Sequence, residues 1–302
     1  MTSPQQGRRR RRWLGAGLAA VVVGAAGGAA AGALDLYYER TLMGAADARC
    51  DLFDPVVGAA LEAGRVQARG AALRAGASAE TLQAAEARAL ARGRAVDCAS
   101  PDVATAASRV RSAFAGYARM PRMTYPGDLS EWRADRTVSL EKPLWRLSQT
   151  VSFGWDRMIF GLGGRDRRGV LLASASFADG ASPYAVRLVM RDPARAAAPY
   201  LDRRQAGTDG RIPLPGRLPP AYAQRSWSAE ARSPASPRLA PGRARDALLV
   251  RFPADAADAL AALDPREAVM VEFLFAGQGG EGVRRAWVEV GDFAAGRAFL
   301  AI

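Results

Sequence analysis

The chain has 302 residues, a formal charge of +12, about half hydrophobic composition and no histidine. Without an imidazole, Ser-His-Asp hydrolases, Cys-His proteases and histidine-ligated zinc enzymes are excluded. Only carboxylate, serine, tyrosine or Lys142 chemistry is left, and no cofactor or metal is expected. The length allows two domains of ordinary size.

Five consecutive arginines, Arg8 to Arg12, precede Trp13 and a further 21 residues without charge, ending at Leu34. A basic flank ahead of an apolar run is what the membrane insertion machinery reads, with the arginines kept on the cytoplasmic side. Residues 1–34 are therefore expected to form a signal or transmembrane segment. The chain from Asp35 onward would lie on the periplasmic side of a bacterial inner membrane. Residues 13–34 number 22, enough to span, with Trp13 at one interface and Tyr37 and Tyr38 at the other. Ala31-Gly32-Ala33 is a small-x-small cleavage pattern, so release into the periplasm near Ala33 is the other reading. Arg10-Arg11-Arg12-Trp13-Leu14 is loosely similar to a twin-arginine export signal. Gly24, Gly28 and Gly32 recur every four residues and would offer a homodimer seam. The arginine run is explained as a topology signal, and export disfavours nucleic acid as a partner.

Residues 35–120 read as a helical domain. Asp35 to Arg49 would continue the first helix outward as a stalk. Asp54-Pro55 is an N-cap followed by proline at the first helical position, and Ser100-Pro101 repeats it. Ser78 caps a helix between them. The faces traced by Val57, Leu61, Gly64, Ala68, Ala71 and Ala72, by Leu82, Ala85, Ala89 and Val96, and by Val103, Ala107, Val110, Phe114 and Tyr117 keep helical spacing. Cys50 and Cys98 are the two cysteines, at inter-helix corners of an exported chain. One disulfide between them is expected.

Residues 121–143 form a connector rich in arginine and aromatics, expected to be partly irregular and exposed. Flat rings beside guanidinium groups bind glycans, nucleobases or anionic headgroups by stacking and charge. The candidate ligand-binding residues around it are Tyr125, Trp132, Arg133, Arg136, Trp145 and Trp155. The same tryptophans can instead seal a domain junction. Asp128, Glu131 and Asp135 are the acids nearest to a paired-carboxylate arrangement.

Residues 144–302 read as a β-rich domain. Trp145 to Phe153 alternates as a half-buried strand. Gly161-Leu162-Gly163-Gly164 does not extend into a dinucleotide fingerprint and reads as a flexible turn. Val170 to Phe177 and Tyr184 to Arg191 would pair as a hairpin about Asp179-Gly180. Residues 193–241 hold nine of the 18 prolines and read as a long, partly disordered insertion. Strands follow at Ala247 to Phe252, Val269 to Phe275 and Val283 to Val290, with a short helix at Asp255 to Leu263 and a glycine turn at Gln278 to Gly282. Asp292 would cap a final helix carrying Phe293, Phe299 and Leu300. The fold class is thus α+β: a membrane or signal helix, a small disulfide-stapled helical domain, and a mainly antiparallel, sandwich-like β domain.

The run of strand, alanine-rich helix, strand, glycine turn and strand, ending in Val290-Gly291-Asp292-Phe293-Ala294-Ala295-Gly296-Arg297-Ala298-Phe299, resembles the end of the invasion-associated locus B family. The likeness covers about 55 residues. It implies a β-sandwich-like envelope domain with no active site to carry over. The function expected is a non-enzymatic cell-envelope protein that binds or scaffolds an envelope protein or anionic polymer. The alternative is a carboxylate-dependent enzyme acting on envelope glycan or peptidoglycan.

Overall fold

A computed structural model describes residues 23–139, 141–166, 169–277 and 280–302. The arginine run, Trp13 and more than a third of the expected membrane segment lie outside the described residues, as does the tip of the turn at Gln278. Among the described residues no helix is long and apolar enough to cross a membrane.

Four helices come first: α1 (Val23–Cys50), α2 (Pro55–Arg74), α3 (Ala79–Arg94) and α4 (Pro101–Arg119). Asp54 accepts from the amides of Val56 and Val57, Ser78 from Thr81 and Ser100 from Asp102, so all three expected caps form. Small residues let the axes approach. A Cβ on Gly93 would stand 2.6 Å from Ala45 Cβ and 2.7 Å from Leu42 O, so α3 can lie on α1 only where it carries a glycine. Cys50 and Cys98 form the expected disulfide, Cα atoms 5.5 Å apart, tying the end of α1 to the corner after α3. Tyr37 corrects one expectation. Rather than standing at a membrane interface, it is buried among Ala68, Ala72, Leu73 and Leu82, with Ala33 and Leu34 packed alongside. A large ring fills the space that alanines on α2 leave open.

The eleven strands are β1 (Arg122–Pro126), β2 (Glu131–Asp135), β3 (Leu144–Phe153), β4 (Asp156–Gly164), β5 (Val170–Ser176), β6 (Ala185–Arg191), β7 (Gln224–Ser228), β8 (Ala231–Pro234), β9 (Leu248–Arg251), β10 (Ala268–Gly277) and β11 (Gly280–Glu289), counted among the described residues. They make two antiparallel sheets, ordered β1-β2-β3-β4-β5-β9-β8 and β11-β10-β6-β7. Inward residues of both sheets, among them Leu147, Phe160, Leu188, Val271 and Val288, form one core. Phe153 of the first sheet stacks on Phe273 of the second, centroids 5.7 Å apart. Two further helices, α5 (Ala254–Ala261) and α6 (Phe293–Leu300), pack against this core.

Several expectations are corrected here. The connector is a hairpin, β1 with β2, that extends the first sheet rather than an irregular link. Gly161 and Gly163 lie inside β4, paired with Leu172 and Val170, so this is strand and not turn. Gly161 has φ +147°, and a Cβ there would run into Leu147 O on the neighbouring strand. β5 and β6 do not pair with each other: the chain through Asp179-Gly180 crosses from one sheet to the other. The proline-rich segment is built from four short 3-10 turns together with β7 and β8, which add one strand to each sheet. A bulge between Trp145 and Leu147 shifts the alternation of β3 and buries Arg146.

The helical layer is docked against the sheets. Tyr117 packs edge-on to Phe299 at 5.5 Å, and its hydroxyl meets that of Tyr125 at 2.6 Å. Asp292 precedes α6 without capping it by its side chain; its carboxylate instead takes a paired contact from Arg74 of α2.

Candidate functional site

Because directly opposed residues of antiparallel strands share a face, register alone defines three rows across the outer face of the second sheet. The first row is Arg187, Glu272 and Arg285; the second is Val189, Met270 and Trp287; the third ends at Glu289 opposite Ala268. Their environments differ sharply.

At the third row Glu289 is fully buried. Its carboxylate accepts from the amides of Asp128 (2.7 Å), Leu129 (2.9 Å) and Ser130 (2.8 Å), which belong to the β1–β2 turn. Arg217, from the proline-rich segment, donates to Glu289 at 3.2 Å and to Asp128 at 3.1 Å. One carboxylate therefore clasps a hairpin turn and a strap onto the sheet through charge-assisted bonds. Beside it Arg191 holds Glu267, with Nε to Oε1 at 2.6 Å and Nη2 to Oε2 at 2.9 Å. Burial nevertheless pushes the Glu267 carboxyl above its ordinary range.

The second row is apolar, and Leu218 of the strap packs on Val189 and Met270 with Trp287 at the margin. In the first row Glu272 is 7 % exposed and receives an arginine from each side: Arg187 Nε and Arg285 Nε donate to its two oxygens at 3.0 Å each. Both guanidinium groups remain about half exposed.

The strap leaves an open groove on each side. One, of about 950 Å³, runs between the β3–β4 turn and the strap and is lined by Thr150, Ser152, Trp155, Asp156, Pro213 and Arg284, among others. The other, of about 640 Å³, lies over Arg187, Glu272, Gln224 and Ser226. Pro215, Arg285 and Trp287 line both. At the lip of the first groove Trp155 is 91 % exposed, on a turn opened by Gly154 at φ +63°. Arg284 stacks over Phe275 and pairs with Asp156 and Asp179, and it holds the Asp179 carboxyl down at about 2.

The six candidate residues named from sequence do not converge. Tyr125 and Trp132 are 0 % exposed, correcting the expectation that this stretch turns its rings outward. Trp132 packs on Phe293 at 5.0 Å and donates Nε1 to Val290 O at 2.9 Å, because an indole in the core needs an acceptor. Arg136 lies over Phe299 and donates to Met120 O and Ala118 O, satisfying carbonyls at the end of α4. Trp145 is tethered to Leu239 O at 3.1 Å. Arg133 is solvated and pairs with Glu131. Trp155 alone of the six reaches a groove. Each of the three acids is paired with a different arginine: Asp128 with Arg217, Glu131 with Arg133 and Asp135 with Arg122. No cluster of histidine, cysteine and acidic side chains able to hold a metal occurs among the described residues.

Sequence reasoning missed Arg187, Glu272, Arg285 and Glu289. The available signal was a glutamate inside the apolar run Val269-Met270-Val271-Glu272-Phe273; its partners follow only from strand register. No family model, curated protein or solved structure matches this chain.

Proposed function

We propose that this chain is a non-enzymatic cell-envelope protein, held at the bacterial inner membrane by residues 13–34, whose periplasmic body binds an envelope partner along the strap-divided groove. The observation that carries this reading is Trp155. An indole left 91 % in water at the lip of a groove forgoes a large hydrophobic gain that an occupant covering it would restore. The two facing sheets support a sandwich-like reading of the β domain. The basic exported surface supports an anionic partner. If the leader is cut near Ala33, the same body acts as a freely diffusing periplasmic binder.

A photo-crosslinking residue placed at position 155 of the full chain in its native envelope is expected to capture an envelope component. The same probe at position 133, which lines neither groove, is expected to capture little. Equal capture at the two positions would overturn the reading.

A further inference from the structure

We infer that the groove binds an acidic glycan, with Arg187 and Arg285 reading carboxylate or phosphate groups and Trp155 and Trp287 stacking on the sugar rings. The inference rests on the groove being the binding surface and names the chemistry of its occupant.

Arg187, Arg285 and the carboxylate between them, Glu272, form one row across the second groove. Among the described residues Glu272 is the one carboxylate paired with Arg187 or Arg285, so two positive groups share one negative one. Their placement also differs from that of ordinary surface arginines. Glu272 is nearly buried and lies directly opposite each of them in the ladder, which fixes both guanidinium planes before any ligand arrives. Preorganised planar forks recognise carboxylate and phosphate oxygens at lower entropic cost than free side chains. Arg225, at the edge of the same groove, lies opposite Met190 on the core-facing side, where Asp255 holds it at 3.0 Å over Trp227, so it is not one of the reading groups.

Shape and chemistry favour a glycan over a bilayer or an acidic peptide. A bilayer is flat, whereas these charges lie in a trough beside the Pro213–Pro219 wall. The two grooves meet at Pro215, Arg285 and Trp287, so an occupant that uses both is extended. An acidic peptide would satisfy the arginines but gives Trp155 nothing flat to cover. A pyranose chain does, because its polarised C–H faces suit the negative face of an indole. Its hydroxyls match Thr150, Ser152, Gln224 and Ser226 along the floor and rim.

The test uses the full chain in detergent micelles, titrated with a galacturonate hexasaccharide, a chitin hexasaccharide and a hexaglutamate peptide, and followed by tryptophan fluorescence and calorimetry. The acidic hexasaccharide is expected to bind, with affinity falling as salt rises from about 0.05 M to about 0.5 M. Arg285→Gln should weaken it by about tenfold or more. Trp155→Ala should also weaken it, and because that side chain is almost wholly in solvent the variant keeps the fold. Equal binding of the chitin hexasaccharide would overturn the role of charge, and preferential binding of hexaglutamate would overturn the glycan. If no probe binds while crosslinking at position 155 still captures a partner, this inference fails and the binding groove stands. If capture fails as well, both fall.

Discussion

Arg74 and Asp292, 218 residues apart in sequence, meet through two parallel hydrogen bonds, one of them Nη2 to Oδ2 at 2.8 Å. The contact joins α2 to the residue before α6 and lies in the seam between the helical layer and the sheets. Asp292 is 2 % exposed and Arg74 is 13 % exposed, so the pair is shielded from solvent on both sides.

Arg74→Met should therefore destabilise the protein by about 3 kcal/mol, since removal of one partner strands a buried carboxylate. Arg74→Met combined with Asp292→Asn should recover much of that loss. Urea denaturation of the four proteins of the cycle measures the coupling. Additive losses would mean that the seam is held by the apolar contacts around Tyr117 and Phe299 alone.

The same buried acids set a pH dependence. Burial raises the carboxyls of Asp292 and Glu267, outweighing the pull of Arg74 and Arg191. The folded state then holds protons that the unfolded chain has released. Stability should fall as pH rises from the ordinary carboxylate range, about 4, through the higher folded values. Asp179 acts oppositely: Arg284 depresses its carboxyl to about 2, so its contribution is lost as pH drops below about 4 toward that value. Urea midpoints measured across this range should decline on the alkaline side less steeply in Asp292→Asn than in the parent. A rising midpoint there would contradict the assigned directions.

Gly161→Ala should be among the most damaging single changes in the sheet. At φ +147° the added Cβ meets Leu147 O across the β3–β4 ladder, and either the strand pairing or the backbone must give. A cost of about 3 kcal/mol is expected, from strain and lost pairing together. Gly154→Ala, at the neighbouring turn with open space around it, carries only the cost of a left-handed residue and should lose about 1 kcal/mol. Thermal denaturation of both variants makes the comparison.

The cysteine staple makes a separate claim. Its ends are 48 residues apart, and in the chain-entropy model closing such a loop stabilises by about 4 kcal/mol. Replacing both cysteines with serine should lower stability by that order. Hydrogen exchange should quicken first in α1 to α3, with the sheet amides following only at global unfolding. Uniform acceleration across the chain would show that helices and sheets unfold as a single cooperative unit.

Local signals carried much of the fold. Asp54-Pro55, Ser78 and Ser100-Pro101 marked the helix starts because caps act within three residues. Alternation marks β3, and the stretches Ala247 to Phe252, Val269 to Phe275 and Val283 to Val290 coincide with β9, β10 and β11. Non-local facts were not legible. Gly161 reads as a turn residue until Leu147 O is known to lie against it, and Tyr125 and Trp132 look like a ligand surface until Phe299 and Phe293 are seen to cover them. Proline density concealed the strap, because its order comes from Arg217 and Leu218 docking on strands remote in sequence. For the groove, composition pointed to arginine and tryptophan but not to these arginines, since Arg187, Glu272 and Arg285 come together through register.

The clasp at Glu289 links that architecture to binding. Its carboxylate replaces water for three consecutive amides of the turn and for Arg217 of the strap, all in a fully buried place. Glu289→Gln keeps the shape but removes the charge and turns an NH2 group toward donors. Unsatisfied amides at such a site cost about 1 to 3 kcal/mol. Exchange of the amides of Asp128, Leu129 and Ser130 should accelerate well before that of the β10–β11 ladder. Because the turn and the strap both border the first groove through Leu129, Ser130 and Pro213 to Pro215, loosening them should also weaken ligand binding, although Glu289 lines neither groove. Arg217→Gln should show the same pattern in milder form at the turn and more strongly at the strap, since it leaves the three amide bonds to Glu289 intact. Unchanged protection at 128–130 in Glu289→Gln would mean that the turn is held by the Trp132 indole, which donates to Val290 O, and that the strap and turn move independently.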